Sequence, residues 1–554
     1  MFQERVIDGF WGPSEALMFD VEDVISKVDF VKKELTFVRK KSAIEYLGNI
    51  PVPIFVDACL LAGSDFLPTL PWIESHLRKP TKIQTAVDQI LNNNRNGYLV
   101  CLRHADNPKF QALNYADAFK RAKMAVQHHI VMSSKGEILV QNVANAPRVH
   151  DFMGQRLPDE VYFYLSRGVI GPRVLNWRAS GEILEPPPLD NGESEAYRTL
   201  IQNQITELRT AAISLLSFSL TRFYQHKDLT IRYWFDKDNI KPITMRDVVD
   251  LKPTAEGWKV TEDIFGPKQN KHFGSGLIGI AIQSLTDTEF AARTIAPKLE
   301  SPKLRTMNEI LLNSVWRMLH LRGYVNEDHT LSPWGKTLSA TLSALPSPDL
   351  EEAAIIAIEL ARYGYLNYDN FFPTYSGITP PAQDQIRKNM LLLSRVACLG
   401  RFKHKQIGFT GALSRQLLGY HSMVSAVRRG LRDLVEMCMT TMLMNHDASR
   451  DDRSDWYALG LNLPFLLDND CGLGLLVNNY LYQLYRDPAG DPKSEEVRGQ
   501  AREETATVFA HCEDAEGDLK KAFQLWDAVC NHVLSFLSPS SNSWSEDSYE
   551  EMMS

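Results

Sequence analysis

Long apolar runs are absent from this 554-residue chain, and so is any Cys-x-x-Cys pair. No stretch approaches the roughly 18 consecutive apolar residues that a membrane helix needs, and Met1–Asp8 has no apolar signal-peptide core. The seven cysteines are scattered and odd in number, which argues against a disulfide framework or a zinc ribbon. We therefore expect a protein of the cytosol or nucleus that has no membrane partner.

Signatures of common enzyme classes are also missing. The sequence has no Gly-x-Ser-x-Gly, and neither His128-His129 nor His404 has partners at metal-ligand spacing. A literal Gly-x-Gly-x-x-Gly spans Gly274–Gly279, but the polar stretch 268–272 precedes it where a dinucleotide site needs an apolar strand. It predicts a loop that enters an apolar helix, and we expect no cofactor.

Negative charge is in excess, with a net charge of −8, yet one segment is wholly basic. Gln385–Arg432 contains ten Lys or Arg and no Asp or Glu. These cations are Arg387, Lys388, Arg395, Arg401, Lys403, Lys405, Arg415, Arg428, Arg429 and Arg432. Two interpretations stay open: a binding surface for nucleic acid or an acidic partner segment, or a segment folded against acidic neighbours such as Asp433 and Glu436.

Periodicity divides the chain into five regions. Residues 1–95 alternate short strands with helices, and residues 96–190 form a mixed connector that contains a hairpin at Val131–Val140 and an extended joint at Glu185–Asp190. The predicted strands are Ala16–Phe19, Val28–Phe30 and Leu35–Val38, and the predicted helices are Ile54–Ala62 and Lys82–Leu91. Residues 191–300 contain one long helix, Ala196–Tyr224.

The fourth region, residues 301–537, is predicted to be mainly helical. Within it, a helix over Met307–Leu321 ends at Gly323, two short strands follow, and Ser332-Pro333 begins the next helix. This order is typical of a winged-helix unit. Gly364-Tyr365 repeats Gly323-Tyr324 at an offset of 41 residues. The fifth region, residues 538–554, is rich in Ser and acids and is predicted to be disordered.

The stretch Phe55–Phe66 is the most informative motif. Its apolar helix running into Gly63-Ser64-Asp65 resembles the internal nuclease motif of the flap-endonuclease family, which implies a PIN-like fold with Asp65 as a metal-binding carboxylate. Two-metal cleavage needs several converging carboxylates, and the matching upstream place offers only Asp8. Asp65 and Asp8 are therefore vestigial metal candidates, no residue is assigned a catalytic role, and a helix cap is the alternative role for Asp65.

Longer phrases resemble a fungal family of post-transcriptional regulators named for the maintenance of a yeast killer-toxin virus. They are Gly12–Leu17, Asp57–Pro68, Tyr162–Gly168, Gly181–Pro188, Phe223–Asp228 and Leu331–Lys336. The resemblance implies a degenerate flap-endonuclease-like domain followed by two family-specific domains. It also implies cytoplasmic action on mRNA translation or stability and binding to an ataxin-2-like protein associated with poly(A)-binding protein.

We therefore expect an α/β N-terminal part, degenerate and PIN-like, followed by a mainly α C-terminal region with a winged-helix-like unit. The leading hypothesis is a non-enzymatic scaffold in cytoplasmic messenger ribonucleoprotein particles. The alternative is a Mg²⁺-dependent structure-specific nuclease of the flap-endonuclease family. A winged-helix DNA-binding regulator is disfavoured, because Glu327 and Asp328 would repel phosphate.

Overall fold

The computed structural model describes residues 9–75, 81–133, 137–142, 155–188, 192–243, 256–271, 274–295, 303–369, 371–372, 384–450, 453–467, 470–487 and 490–537. The chain divides into two compact units, Met1–Phe163 and Tyr164–Ser554. The predicted boundaries near residues 95, 190 and 300 fall inside these units. Asp8 and the tail predicted from Ser538 lie outside the described residues. Within the described ranges, no helix is both long and apolar enough to cross a membrane.

Two small sheets lie in the first unit. Their strands are β1 (Phe10–Trp11), β2 (Asp23–Asp29), β3 (Glu34–Arg39), β4 (Ile130–Met132) and β5 (Ile138–Val140). The first sheet has the order β1-β2-β3, with β1 parallel and β3 antiparallel to β2. Strands β4 and β5 form the predicted hairpin. The strand predicted at Leu35–Val38 lies within β3 and is confirmed, whereas β2 ends at Asp29 and includes only part of Val28–Phe30.

The strand predicted at Ala16–Phe19 is wrong. Ser14–Met18 forms a 3-10 helix, because Pro13 begins a tight turn in which the Ala16 amide donates to the Pro13 carbonyl. This turn buries Leu17 and Met18. The apolar residues are therefore buried by a short helix rather than by strand pairing.

Among the described residues of the first unit, seven helices build the core. They are α1 (Lys40–Tyr46), α2 (Val52–Ala62), α3 (Pro71–Ser75), α4 (Lys82–Leu91), α5 (Gly97–Arg103), α6 (Pro108–Ala112) and α7 (Tyr115–Gln127). The helices predicted at Ile54–Ala62 and Lys82–Leu91 are confirmed as α2 and α4. Helix α2 is central because its Phe55, Leu60 and Leu61 are all buried against α4, α5 and α7.

Gly63 ends α2 and turns the chain back onto the helix. Its φ is +105°, and a Cβ there would clash with the Thr69 side chain. The Thr69 hydroxyl donates to the Ala62 carbonyl at 3.0 Å, and the Leu70 amide donates to the Leu61 carbonyl at 2.9 Å. Glycine is therefore required at this position by both the backbone and the close approach of Thr69.

Substitution Gly63→Ala should destabilise α2 by about 3 kcal/mol, because it adds a clash to backbone strain. Gly48→Ala is the matched control: Gly48 also has a positive φ, +90°, but a Cβ added to it would have no other atom within 4 Å. The control should cost only about 1 kcal/mol. Hydrogen–deuterium exchange of the α2 amides measures both losses, and equal losses would contradict the role given to Thr69.

The second unit is mainly helical. One helix, α8 (Asp159–Ser166), includes the division point between the units. The others are α9 (Pro172–Ser180), α10 (Glu195–Leu200), α11 (Thr206–Phe218), α12 (Arg222–His226), α13 (Glu262–Lys271), α14 (Leu277–Ser284), α15 (Thr288–Ile295), α16 (Met307–Leu321), α17 (Pro333–Ala344), α18 (Glu351–Arg362), α19 (Asp384–Ala397), α20 (Arg415–Met444), α21 (Trp456–Asn462), α22 (Gly472–Leu484), α23 (Glu495–Val508), α24 (Ala515–Val529) and α25 (Ser535–Leu537).

One small sheet accompanies these helices, with β6 (Glu182–Glu185) parallel to β7 (Leu229–Tyr233) and β8 (Asp236–Ile243) antiparallel to β7. Strand β7 buries Leu229, Ile231 and Tyr233. The joint predicted from Glu185 begins as the last residue of β6, and its residues 189–190 lie outside the described ranges.

The continuous helix predicted at Ala196–Tyr224 is confirmed as far as Phe218 and is wrong beyond it. Helix α10 passes through a π-helical turn, Ile201–Ile205, into α11, which ends at Phe218. Thr221 then adopts an extended conformation, with ψ 159°, before the short α12. Tyr224 is buried on α12.

The two helices predicted within residues 305–350 are confirmed with their caps, whereas the two short strands predicted between them are not formed in this described range. Thr306 and Glu309 form a capping box on α16, Gly323 has φ +72°, and the Ser332 hydroxyl accepts from the Gly335 amide at the start of α17. Val325 and Leu331 form a single antiparallel bridge. Whether this unit has a winged-helix fold stays a prediction.

His329, in the turn of this unit, is buried in an aromatic stack. Its ring lies 3.7 Å from that of Trp258, which in turn stacks on Trp316 at 5.4 Å. Its Nδ1 is 2.7 Å from the Thr294 hydroxyl. Burial and then the neighbouring His320 lower the pKa of His329 to about 4. The ring therefore stays neutral in the fold at pH values where an exposed histidine is protonated.

The second unit should lose stability as the pH falls from about 6.5 to about 4. The pKa of His329 is lower in the folded state than in the unfolded state. The stabilisation that neutral His329 gives to the fold is therefore complete above pH 6.5 and is lost as the pH falls towards 4. This loss is at most ~3 kcal/mol of unfolding free energy. His329→Asn keeps a residue that tolerates the positive φ of 60°. Its deficit in unfolding free energy relative to the unsubstituted chain should shrink on acidification. A deficit that stays constant from pH 7.5 to 4.5 would count against this assignment.

Candidate interaction surface

The flap-endonuclease-like motif does not bring carboxylates together. Asp65 is exposed in the turn between Ser64 and Leu67, and the next helix begins only at Pro71, so the helix-cap role predicted for Asp65 is not observed. Asp8 lies outside the described residues. In the part of the chain that is described, no three His, Cys, Asp or Glu side chains are close enough together to hold a metal ion.

The buried carboxylate of this motif is Asp57, for which the sequence predicted no role. It pairs with Lys123 at 2.8 Å and accepts from the Gly97 amide at 3.1 Å. An unpaired charge at this depth would be costly, and the lysine neutralises it. Asp57 is therefore part of the packing between α2, α5 and α7.

The backbone amides of the Gly274–Gly279 loop are occupied by a carboxylate from elsewhere in the chain. As predicted, it leads into a helix, α14, and the carboxylate of Glu351 accepts from the amides of Gly276 at 2.6 Å and Gly279 at 2.9 Å. Backbone amides at a helix start bind anions readily. Here the place that a phosphate would take is filled by a side chain of the same chain.

Three arginines of the basic segment are buried. Arg395 donates to the Asp369 carbonyl at 2.7 Å, Arg428 pairs with Glu352, and Arg432 pairs with Glu436 at 2.6 Å. Their exposed fractions are 0%, 1% and 9%. These guanidinium groups do not face a ligand, which matches the interpretation of folding against acidic neighbours.

The other seven cations of the segment differ in exposure. Arg387 and Lys388 are half-buried on α19, and Arg401 is half-buried and lies 3.4 Å from Glu352. Arg429 is exposed on α20. The remaining three are also exposed: Lys403 and Lys405 lie on the segment that precedes α20, and Arg415 is the first residue of α20. We call Lys403–Arg415 the basic loop.

Backbone hydrogen bonds anchor one end of the basic loop. The Lys405 amide donates to the His511 carbonyl at 2.7 Å, and the Glu513 amide donates to the Lys403 carbonyl at 3.0 Å. The Thr410 hydroxyl lies 3.0 Å from Nδ1 of His511. Burial, and then His404, lower the pKa of His511, so this anchor stays uncharged at neutral pH. The cations are thus presented from a fixed base.

Apolar side chains are exposed on the same loop. Ile407, Phe409 and Leu413 expose 54%, 50% and 67% of their surface. Cations beside an exposed aromatic ring can bind phosphates while the ring stacks on a base. Counting charges does not identify these three apolar residues. The apolar, glycine-containing run 407–413 within the basic segment was the sequence feature that could have indicated them.

The aromatic run Tyr233–Phe235 begins at the last residue of strand β7, and its contacts are internal. Tyr233 is buried, the Trp234 indole donates to Glu193 at 2.6 Å, and Arg232 pairs with Glu182. This run therefore contributes to packing.

Two family models match the chain, and both are described as "Temperature dependent protein affecting M2 dsRNA replication". The N-terminal model matches residues 147–235 and the C-terminal model matches residues 317–551. The basic loop lies within the second match. No solved structure matches the chain.

Curated relatives match nearly the whole chain. The post-transcriptional regulator MKT1 of Cryptococcus neoformans is 27% identical over 94% of this chain and 72% of its own length. The Schizosaccharomyces pombe protein of the same name is 21% identical over 95% of this chain and 72% of its own length. The Saccharomyces cerevisiae protein is 22% identical over 88% of this chain and 67% of its own length.

Neutralising the basic loop should weaken RNA binding without weakening the fold. We expect Lys403→Gln with Lys405→Gln to lower the affinity for a single-stranded oligoribonucleotide, because two phosphate contacts are lost. The slope of log affinity against log salt should fall by about 1.4. Fluorescence anisotropy at several salt concentrations measures both effects.

The matched control removes the same charge from other exposed lysines, Lys336→Gln with Lys493→Gln, and should leave the slope unchanged. Arg428→Gln should instead cost about 3–5 kcal/mol of stability, because Glu352 loses a buried partner. The loop is not an RNA contact if both lysine pairs change the slope equally or neither changes it.

Proposed function

We propose that the chain is a member of the MKT1 family, whose curated members are named post-transcriptional regulators, and that it regulates the translation or stability of mRNA. The observation that carries this proposal is the match to such a regulator over 94% of the chain. The match includes both structural units, so the proposed role belongs to the whole chain rather than to one domain.

The proposed mode of action is that of a non-enzymatic scaffold in cytoplasmic messenger ribonucleoprotein particles. Two observations support it. Asp57 is engaged by Lys123, and Asp65 is exposed in a turn and belongs, among the described residues, to no group of three or more His, Cys, Asp or Glu side chains that could hold a metal ion. A scaffold needs exposed surfaces instead, and the basic loop provides one.

We assign the basic loop to mRNA and the helical second unit to a protein partner. Lys403, Lys405 and Arg415 would contact phosphates, and Phe409 would stack on a base. The family resemblance points to an ataxin-2-like protein associated with poly(A)-binding protein as the partner. Loss of a protein partner, rather than of RNA, on neutralising the loop would assign it to an acidic segment of that partner.

The nuclease alternative needs a Mg²⁺ site at Asp65. Hard divalent cations require several oxygen ligands, and cleavage by two metal ions requires still more. Ligands from residues outside the described ranges, such as Asp8, would have to complete such a site. Asp65→Asn therefore separates the two functions, because it removes the one carboxylate that the alternative must use.

Tethering the chain to a reporter mRNA through a fused RNA-binding peptide should change reporter protein or mRNA half-life at least twofold. Asp65→Asn should act like the unsubstituted chain, since scaffolding uses no metal carboxylate. Loss of the effect with Asp65→Asn, together with Mg²⁺-dependent cleavage of a flap substrate by the purified chain, would favour the nuclease.

Affinity purification of the same chain from cytoplasmic extract, with and without RNase, separates the two parts of the scaffold. An ataxin-2-like protein recovered in both samples would support direct docking. Partners recovered only without RNase would make RNA the link. An inert tethered chain that recovers no ribonucleoprotein component would overturn the proposed function.

A further inference from the structure

A cavity of about 260 Å³ lies among helices α22, α23 and α24. Its walls are apolar: Tyr480 and Leu484 come from α22, and Leu519 and Phe523 come from α24. The rings of Tyr480 and Phe523 meet edge to face, with centroids 6.0 Å apart. The volume is below the roughly 300–1,000 Å³ of small-molecule sites and suits one aromatic side chain.

Three cations and two carboxylates also line this cavity. Arg498 and Arg502 lie one turn apart on α23 and Lys520 lies on α24, and the carboxylates are Glu495 and Glu516. Arg502 already pairs with Glu495. The Nε of Arg498 donates to the Pro492 carbonyl at 3.0 Å.

Within the described part of the chain, the guanidinium group of Arg498 has an unused hydrogen-bond donor. Its Nη2 is buried and has no hydrogen-bond partner among the residues that the structure describes. A buried donor without an acceptor is unfavourable, so an acceptor that reached this Nη2 would be stabilised. The cavity thus fits an aromatic ring that is flanked by carboxylates.

The chain carries such a segment at residues 538–554. This segment contains Tyr549 and four carboxylates, Glu546, Asp547, Glu550 and Glu551, with no Lys or Arg. Its charge is complementary to Arg498, Arg502 and Lys520. Opposite charges at the rim of an apolar site favour the correct partner and its orientation.

The segment is also long enough to reach. Phe523 lies 14 residues before Leu537 along helix α24, the π-helical turn Cys530–Leu534 and α25. That path is about 21 Å at 1.5 Å per residue. Tyr549 lies 12 residues beyond Leu537, and an extended chain of that length spans about 40 Å. The segment can therefore run back along the last helices to the cavity.

We propose that residues 538–554 dock in cis on this cavity, with the ring of Tyr549 between Tyr480 and Phe523 and its flanking carboxylates on Arg498 and Arg502. The docked segment occupies a site that is suited to acidic, aromatic peptides. A partner that presents such a peptide has to displace it, so the segment acts as an internal competitor. This inference does not depend on the proposed function.

Photo-crosslinking in the full chain tests the proposal. With Tyr549 replaced by p-benzoyl-phenylalanine, irradiation should link residue 549 to peptides that contain Tyr480 and Leu484 or Leu519 and Phe523. Arg498→Glu with Arg502→Glu should lower the yield at least fivefold, because the segment is then repelled. The same probe at Ser540, three residues beyond Leu537, should not reach the cavity.

The matched control reverses two exposed charges elsewhere, Arg222→Glu with Arg293→Glu, and should leave the yield unchanged. Circular dichroism checks that each variant is folded, and Lys520→Glu on the exposed rim replaces the double variant if that one unfolds. Three outcomes would overturn the proposal: crosslinks to other surfaces, a yield that ignores charge reversal at the cavity, or links only between isotope-distinguished copies of the chain.

Discussion

Burial of charge along α20 is the constraint on which the second unit depends. This 30-residue helix carries Arg428, Arg432, Asp433 and Glu436 into the interior. Burial raises the pKa of Asp433 to about 6, although the ion pair with Arg173 opposes that rise. Breaking one buried pair typically costs about 3–5 kcal/mol, because the remaining partner is left uncompensated. Helix α20 can therefore pack only where other segments supply partners for these four buried charges.

Those partners come from distant parts of the chain. Arg173 is 260 residues before Asp433, the Gly171 amide that binds Glu436 is 265 residues away, and Glu352 is 76 residues before Arg428. These contacts fix two neighbours of α20. Asp433 and Glu436 hold the start of α9, and Arg428 holds α18. The ion pairs therefore specify which segments pack against the long helix, and α11 and α16 also pack closely against it.

Local signals in the sequence predicted elements well, and long-range pairing explains the failures. The ends of α16 and the start of α17 follow from Thr306, Gly323 and Ser332, because each acts within a few residues of its own position. The break after Phe218 depends on where Tyr224 is buried, which no local signal shows. Likewise, the count of ten cations in one segment does not show which of them are buried, because burial depends on pairing with carboxylates such as Glu352 and Glu436. The PIN-like and winged-helix assignments remain predictions.

A charge that binds a partner differs from a structural charge in one respect: the chain itself does not neutralise it. Lys123 neutralises Asp57, Glu351 occupies the amides of the Gly274–Gly279 loop, and Glu352 pairs with Arg428. Motif and composition indicate these groups as candidate binding or catalytic sites. Internal counter-charges neutralise them, so they are not open to a ligand. The basic loop is different, because Lys403 and Lys405 stand exposed beside Phe409. Complementarity within the fold, rather than the residue types themselves, decides which charged groups of this chain are open to ligands.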